Sequence, residues 1–112
     1  MTCPNAFRVT LRMQVHPGRG ADFERAWYDG ASVITGRPAN LGQWLSASAE
    51  EPDIYYIVSD WTDEDSFRTY EQSEEHLEHR SKLHPYRLSG SMTTMHVRYA
   101  MTGAASLTAA GS

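Results

Sequence analysis

The chain has 112 residues, of which 40% are hydrophobic and 21% charged, a composition typical of one soluble globular domain. Its formal net charge of -4 at pH 7 argues against a nucleic-acid partner, which selects basic surfaces. No apolar run approaches the ~20 residues of a membrane span, the first residues lack a secretory signal, and Cys3, the single cysteine, excludes an internal disulfide. We therefore expect a cytoplasmic protein with no membrane partner.

The first half of the chain is predicted to contain a strand, a helix and a second strand. Apolar and polar residues alternate over residues 7–15, which is the period of a half-buried strand. Residues 21–34 follow helical spacing instead, and Gly36 closes this segment. Residues 43–47 can form a short strand with Trp44 on one face.

Residues 54–61 are predicted to form the central strand, because both of its faces are mostly apolar. Thr62 then offers an N-cap for a helix that begins with three acidic residues. From this helix, Phe67 and Tyr70 are expected to face the core.

The last part of the chain is predicted to add a helix segment and a strand. Ser73 caps a segment that runs to about Leu83, and alternation over residues 93–99 predicts the final strand. Residues 103–112 contain only small residues, Thr and one Leu, and are predicted to be a disordered tail, so that residues 1–102 form the single domain.

The element order β-α-β-β-α-β is that of the ferredoxin-like α+β unit, in which the helices cover one face of an antiparallel sheet. The other face, which carries Tyr56 and Val58, would be left in contact with water. A second copy of the chain can cover it, so we expect a homodimer packed sheet to sheet.

The most informative segment is residues 73–84. At about 100° per residue, Leu77 and Leu83 flank the side of this helix that should face the core. Between them lie polar side chains where a core stripe is normally apolar: Ser73, His76, Arg80 and His84. Burying such groups without partners costs about 1–3 kcal/mol each. The segment is therefore predicted to border a cavity.

Two kinds of role suit these side chains. An imidazole with a pKa near ~6.5 can act as a general base at neutral pH, and a guanidinium can hold a phenolate or enolate oxygen. The alternative is that they are solvated groups on a helix edge or contacts to a loop or a partner subunit. Trp61 likewise reads either as the wall of an aromatic pocket or as a core tryptophan.

A metal or an organic cofactor is not expected. His76 and His79 are one turn apart, but His79 falls at the margin of the face, and Arg80 would repel a cation. The glycine-rich, Walker-type and nucleophile-elbow motifs are missing. The residues therefore predict catalysis without a cofactor, or simple binding.

Three motifs together resemble the antibiotic biosynthesis monooxygenase family. They are Pro-Gly-Arg before the first helix, Tyr-Tyr-Ile-Val-Ser-Asp-Trp-Thr-Asp-Glu-Asp-Ser-Phe, and Ser-Glu-Glu-His-Leu-Glu-His-Arg. The resemblance covers roughly residues 7–99. Asn-Leu-Gly-Gln and Leu-His-Pro-Tyr further resemble the small anthrone oxygenases of actinomycete aromatic polyketide pathways.

The resemblance implies a dimeric α+β barrel that oxidises an anthrone to a quinone with O₂ and without flavin, haem or metal. Trp61 matches the family's pocket tryptophan. Ile57 stands where members often have asparagine, Phe67 where some have tyrosine, and Glu71 where the haem-degrading branch has histidine.

The site expected from the residues and the resemblance has two parts. The candidate catalytic residues are His76, His84 and Arg80, and the candidate substrate-binding residues are Trp61, Phe67, Tyr70, Ile57, Trp44 and His79. The expected partners are a polycyclic aromatic substrate, O₂, a second copy of the chain and polyketide cyclases. Two alternatives use the same cavity, a polyketide cyclase and a non-catalytic accessory protein.

Overall fold

The structure is a computed structural model that describes residues 5–106. Its four strands form one antiparallel sheet in the order β2-β3-β1-β4, with four α-helices and a 3₁₀ turn connecting them. In chain order the elements are β1 Phe7–Val15, α1 Gly20–Gly30, α2 Ser32–Thr35, β2 Asn40–Ala47, β3 Ile54–Trp61, α3 Glu64–Glu71, α4 Glu74–Leu83, the 3₁₀ turn His84–Tyr86 and β4 Arg87–His96. This is the α+β, ferredoxin-like architecture that the element order predicted.

β1 and β3 have the bounds that alternation predicted, and β3 lies between β1 and β2. Their pairing places Phe7 opposite Trp61 and Leu11 opposite Ile57. Since paired residues share a face, these side chains all point to the side that the helices cover. We call this side the covered face.

Three predicted boundaries were wrong. β4 covers 87–96 instead of 93–99, and β2 begins at Asn40 instead of residue 43. The helix predicted over 21–34 is broken at Ala31, whose carbonyl oxygen accepts a hydrogen bond of 2.7 Å from Gln43 Nε2. The same oxygen also accepts hydrogen bonds from the Ile34 and Thr35 backbone N–H groups, at 3.1 and 3.3 Å, so Ala31 begins α2 while it is bound to β2.

The start of α3 also differs from the prediction. Its N-cap is Asp63, not Thr62: Asp63 Oδ1 accepts a hydrogen bond of 2.8 Å from the Ser66 backbone N–H. The Thr62 hydroxyl instead donates to Asp63 Oδ2 at 2.9 Å. These hydrogen bonds lower the pKa of Asp63, the Ser66 N–H contributing most. The carboxylate is the stronger acceptor of the two candidate caps, so it occupies the capping position.

The opposite side of the sheet, which we call the open face, is not covered by any of the four α-helices given above for residues 5–106. Tyr56 and Val58 are only half-buried there, and the Trp44 side chain is 48% exposed. The face is not uniformly apolar, because Asp60 is fully buried and accepts two hydrogen bonds from Arg8, at 2.7 and 2.8 Å. Of the predicted tail, residues 103–106 are exposed, while residues 107–112 and Cys3 lie outside the described residues.

Candidate functional site

A cavity of about 280 Å³ lies between the covered face of the sheet and the helices. Its volume is at the small end of the range for ligand pockets. Strand and helix side chains supply apolar walls, and polar groups come mainly from α4 and the segment after it. The lining residues used below are Leu11, Trp27, Ile57, Ser59, Phe67, Tyr70, Glu71, His76, His79, Arg80, His84, Arg87, Gly90 and Met92.

Aromatic side chains close one side of this cavity in two layers. Phe67 and Tyr70 line it, while Trp61, 1% exposed, lies behind them. The Trp61 ring stacks on Tyr70 with centroids 5.2 Å apart and meets Phe67 edge-on at 5.6 Å. Its Nε1 donates to Ser59 Oγ at 3.0 Å. The expectation that Trp61 itself lines the cavity is therefore corrected, since it supports the two rings that do.

Trp44 is not brought to the site. It pairs with Val58, so its ring lies on the open face, on the other side of the sheet from the cavity. Ile57 does line the cavity, because its register partner is Leu11 on the covered face.

α4 is rotated relative to the sequence prediction. Leu77, expected to face the core, is 53% exposed, whereas His79, expected at the margin, is 6% exposed. The reason lies in α1: Gly30 has no side chain, and a Cβ there would overlap the His79 imidazole. Because position 30 has no side chain, α1 and α4 can pack closely with the His79 ring between them.

His76 combines burial with access to the cavity. The His76 backbone N–H donates a hydrogen bond of 3.2 Å to Ser73 Oγ, which fixes His76 in the first turn of α4. Its ring meets Tyr70 edge-on at 4.9 Å. Nδ1 is buried with no hydrogen-bond partner in the described part of the chain, whereas Nε2 is not fully buried, and the residue lines the cavity. Burial lowers the pKa of His76 more than Glu71 raises it, so the imidazole is neutral at pH 7.

His79 lies deeper and is enclosed on both sides. Neither ring nitrogen has a partner among residues 5–106. Burial lowers its pKa, and the nearby His76 and Lys82 act in the same direction. His79 is therefore a neutral, packed ring whose two nitrogens are not accessible to a ligand.

Tyr70 is held in its protonated form. Its hydroxyl is buried without a partner in the described residues, and burial raises its pKa to about 12. Arg37, which stacks over the ring at 5.3 Å, opposes this rise. The aromatic side of the cavity is therefore uncharged at neutral pH.

The opposite end of the cavity is cationic. Arg80, His84 and Arg87 line it, and the first two are exposed. Among the described residues that line the cavity, Glu71 is the one carboxylate, and it is paired with Arg68 at 3.1 Å. The sequence prediction included Arg80 and His84 but missed Arg87. The reason is that the final strand was predicted to begin at residue 93, which left Arg87 outside every predicted element.

Within residues 5–106, no group of three or more His, Cys, Asp or Glu side chains is placed to hold a metal ion. None of the helices in that part of the chain is long and apolar enough to cross a membrane.

The model of the family described as antibiotic biosynthesis monooxygenase matches residues 6–82. The chain belongs to this family. Membership confirms the resemblance drawn from the three sequence motifs. Protein SchA of Streptomyces halstedii is 30% identical over 79 residues, which are 70% of this chain but 21% of SchA. The chain thus spans about a fifth of the length of this curated relative.

Solved structures share the family fold. SnoaB, a cofactor-independent oxygenase from Streptomyces nogalater, superposes with a TM-score of 0.78 at 21% identity, covering 88% of this chain and 99% of SnoaB. A conserved protein from Methanosarcina mazei superposes with a TM-score of 0.76 at 18% identity, covering 84% of this chain and 94% of that protein. The likeness at such identities confirms the ferredoxin-like fold of this family member.

Proposed function

We propose that the protein is a cofactor-independent monooxygenase that oxidises an anthrone-type aromatic polyketide to a quinone with O₂ in antibiotic or pigment biosynthesis. The observation that carries the proposal is a neutral His76, whose Nε2 is not fully buried, placed beside Tyr70 in a largely apolar cavity. Family membership and the description of SnoaB as a cofactor-independent oxygenase support it.

In the proposed reaction the substrate supplies the electrons. His76 Nε2 removes a proton from the acidic methylene carbon of the anthrone, which leaves an electron-rich anion. This anion reduces O₂: the carbon loses two hydrogens and gains one oxygen atom, and the second oxygen atom leaves as water. The apolar walls keep bulk water away from the anion. His76 is preferred over His84 as the base because His84 is exposed.

The remaining candidates take supporting roles in this proposal. Phe67, Tyr70 and Ile57 contact the flat faces of the ring system, with Trp61 fixing the first two. Arg80, four residues after His76 on α4, lowers the pKa of that histidine by its charge and would stabilise the oxygen that becomes negative.

The test is turnover of an anthrone by metal-free protein in air and under nitrogen. We expect quinone formation with O₂ alone and a fall in rate of about 10²–10⁴-fold in His76→Ala, which is the usual contribution of a general base. His84→Ala should change the rate little. His16→Ala is the matched control, because His16 is exposed and does not line the cavity.

Two outcomes would contradict the proposal. An unchanged aerobic rate in His76→Ala would remove the proposed base. Product formation that does not depend on oxygen would favour the cyclase reading of the same cavity.

We further propose that two copies associate through their open faces. The support is the exposed Trp44 side chain and the half-buried Tyr56 and Val58 on that face. A second sheet is the natural cover for such a surface.

A further inference from the structure

We propose that Ser59 is a further substrate-binding residue, whose hydroxyl donates a hydrogen bond to a ketone or phenolate oxygen of the ligand on the aromatic side of the cavity. This rests on the proposed function for the polycyclic aromatic part of the ligand. The hydrogen bond is inferred independently, from the position of Ser59 on β3 and from its contact with Trp61.

The covered face of β3 carries a serine between Ile57 and Trp61. Ser59 pairs with Val9 of β1, as Ile57 pairs with Leu11, so both side chains point to the side that the helices cover. Ser59 is only 8% exposed and lines the cavity. Ile57 beside it has no hydrogen-bonding side chain. Ser59 is therefore a buried polar group in an apolar part of the cavity wall, a placement that costs free energy unless its hydroxyl is hydrogen-bonded.

The contact with Trp61 leaves the hydroxyl hydrogen of Ser59 available to a ligand. Trp61 Nε1 lies 3.0 Å from Ser59 Oγ, and since an indole N–H can only donate, the serine oxygen is the acceptor. The serine hydroxyl donates to no residue that the structure describes. A hydroxyl that has accepted one hydrogen bond is a stronger donor in a second, and more so in apolar surroundings.

Gln43 is the protein side chain placed to compete for this hydrogen. It pairs with Ser59 from β2, and its Oε1 is buried without a partner among residues 5–106. No hydrogen bond joins the two side chains, while Gln43 Nε2 holds the amide on the Ala31 carbonyl oxygen at 2.7 Å. Gln43 does not line the cavity. A ligand oxygen inside the cavity is therefore the acceptor that the Ser59 hydroxyl can reach.

The proposed hydrogen bond specifies the class of substrate. Arg80 lies at the cationic end of the cavity, whereas Ser59 lies on the aromatic side, bound to the tryptophan that stacks on Tyr70. A polycycle that meets both residues carries an oxygen on each of two edges. A ring system without the inner oxygen would leave the buried serine hydroxyl unpaired and should bind less tightly.

The test measures binding without turnover. Fluorenone and fluorene, flat tricycles that differ by one carbonyl oxygen, are bound under nitrogen to wild type and to Ser59→Ala, and their affinities are measured by equilibrium dialysis. We expect wild type to bind fluorenone about three- to tenfold more tightly than fluorene, the usual effect of one hydrogen bond. Ser59→Ala should weaken fluorenone by about the same factor and fluorene by less than about twofold. The infrared carbonyl band of bound fluorenone should move to higher wavenumber in Ser59→Ala, a change that lost packing alone would not cause.

Ser46→Ala is the matched control, since Ser46 is exposed, pairs with Tyr56 on the open face and does not line the cavity; it should change neither affinity. Equal affinities of wild type for the two ligands, or an unchanged carbonyl band in Ser59→Ala, would overturn the inference. A loss for fluorenone in Arg80→Gln and not in Ser59→Ala would also overturn it, because the carbonyl would then lie at the cationic end. Fluorenone preference without anthrone oxidation would defeat the proposed function alone, and oxidation without this preference would defeat this inference alone.

Discussion

Protonation of the His79 and His76 rings opposes folding. Both have a pKa lowered chiefly by burial, so the folded chain favours their neutral forms. An unfolded histidine binds a proton near pH ~6.5. The stability that these groups contribute is therefore complete above about pH 6.5 and is lost as the pH falls below it towards the folded pKa values.

The urea concentration at the midpoint of unfolding should therefore decrease as the pH is lowered from about 7.5 to about 5.5. This pH window lies above the usual range of carboxyl titration. His79→Gln, which cannot titrate, should flatten this dependence. His16→Gln, a change at an exposed histidine, should leave it as in wild type. A steep dependence that persists in His79→Gln would show that other groups cause it.

At the scale of elements, the contact between α1 and α4 depends on Gly30. Gly30→Ala would place a methyl group on the His79 ring, which is buried and has little room to shift. Overpacking of this kind costs about 1–3 kcal/mol, against a helix-propensity gain of up to about 1 kcal/mol. We expect a net loss in the free energy of unfolding of about 1–2 kcal/mol, measured by urea denaturation.

The double variant Gly30→Ala/His79→Ala checks the cause of this loss. If the methyl group acts through the imidazole, the two changes should be clearly less than additive. Gly103→Ala is the control, since nothing lies within 4 Å of its added carbon, and it should leave the stability unchanged. Strict additivity would show that Gly30 acts through the backbone alone.

Local patterns predicted some elements well because their signal lies within the element. β1 and β3 show period-two alternation, and Ser73 carries its own cap, so all three were predicted at the correct residues. The start of β4 was missed because residues 87–92 lack apolar alternation; pairing with β1, and not the local pattern, makes them a strand.

The candidate site was predictable only in part, because helix rotation and strand register are set by distant residues. His76, Arg80 and His84 were selected from α4 itself and do line the cavity. The burial of His79 in place of Leu77 depends on Gly30, far away in sequence. Arg87 lies on the covered face, opposite Val15, because the register between β4 and β1 shifts at Leu88. No spacing within β4 reveals this β-bulge.

At the scale of the whole molecule, the proposed homodimer can be tested through Val58. Val58→Arg would place an unpaired charge in the centre of the open face, where the second sheet is expected to pack. We expect wild type to sediment as a dimer and Val58→Arg as a monomer.

Leu77→Arg is the matched control for this prediction. It makes the same kind of change at an exposed apolar residue of α4, on the helical side of the sheet, and should remain dimeric. A monomeric wild type, or a dimer that survives Val58→Arg, would count against association through the open face.

The fluorescence of the three tryptophans can report on different parts of the molecule. Trp44 is half exposed on the open face, Trp27 lines the cavity, and Trp61 is sealed behind Tyr70. Their emission should therefore separate into a red-shifted component sensitive to subunit association and a blue-shifted component sensitive to cavity filling. With Trp44→Phe, quenching by an added quinone would follow occupancy of the cavity without any label.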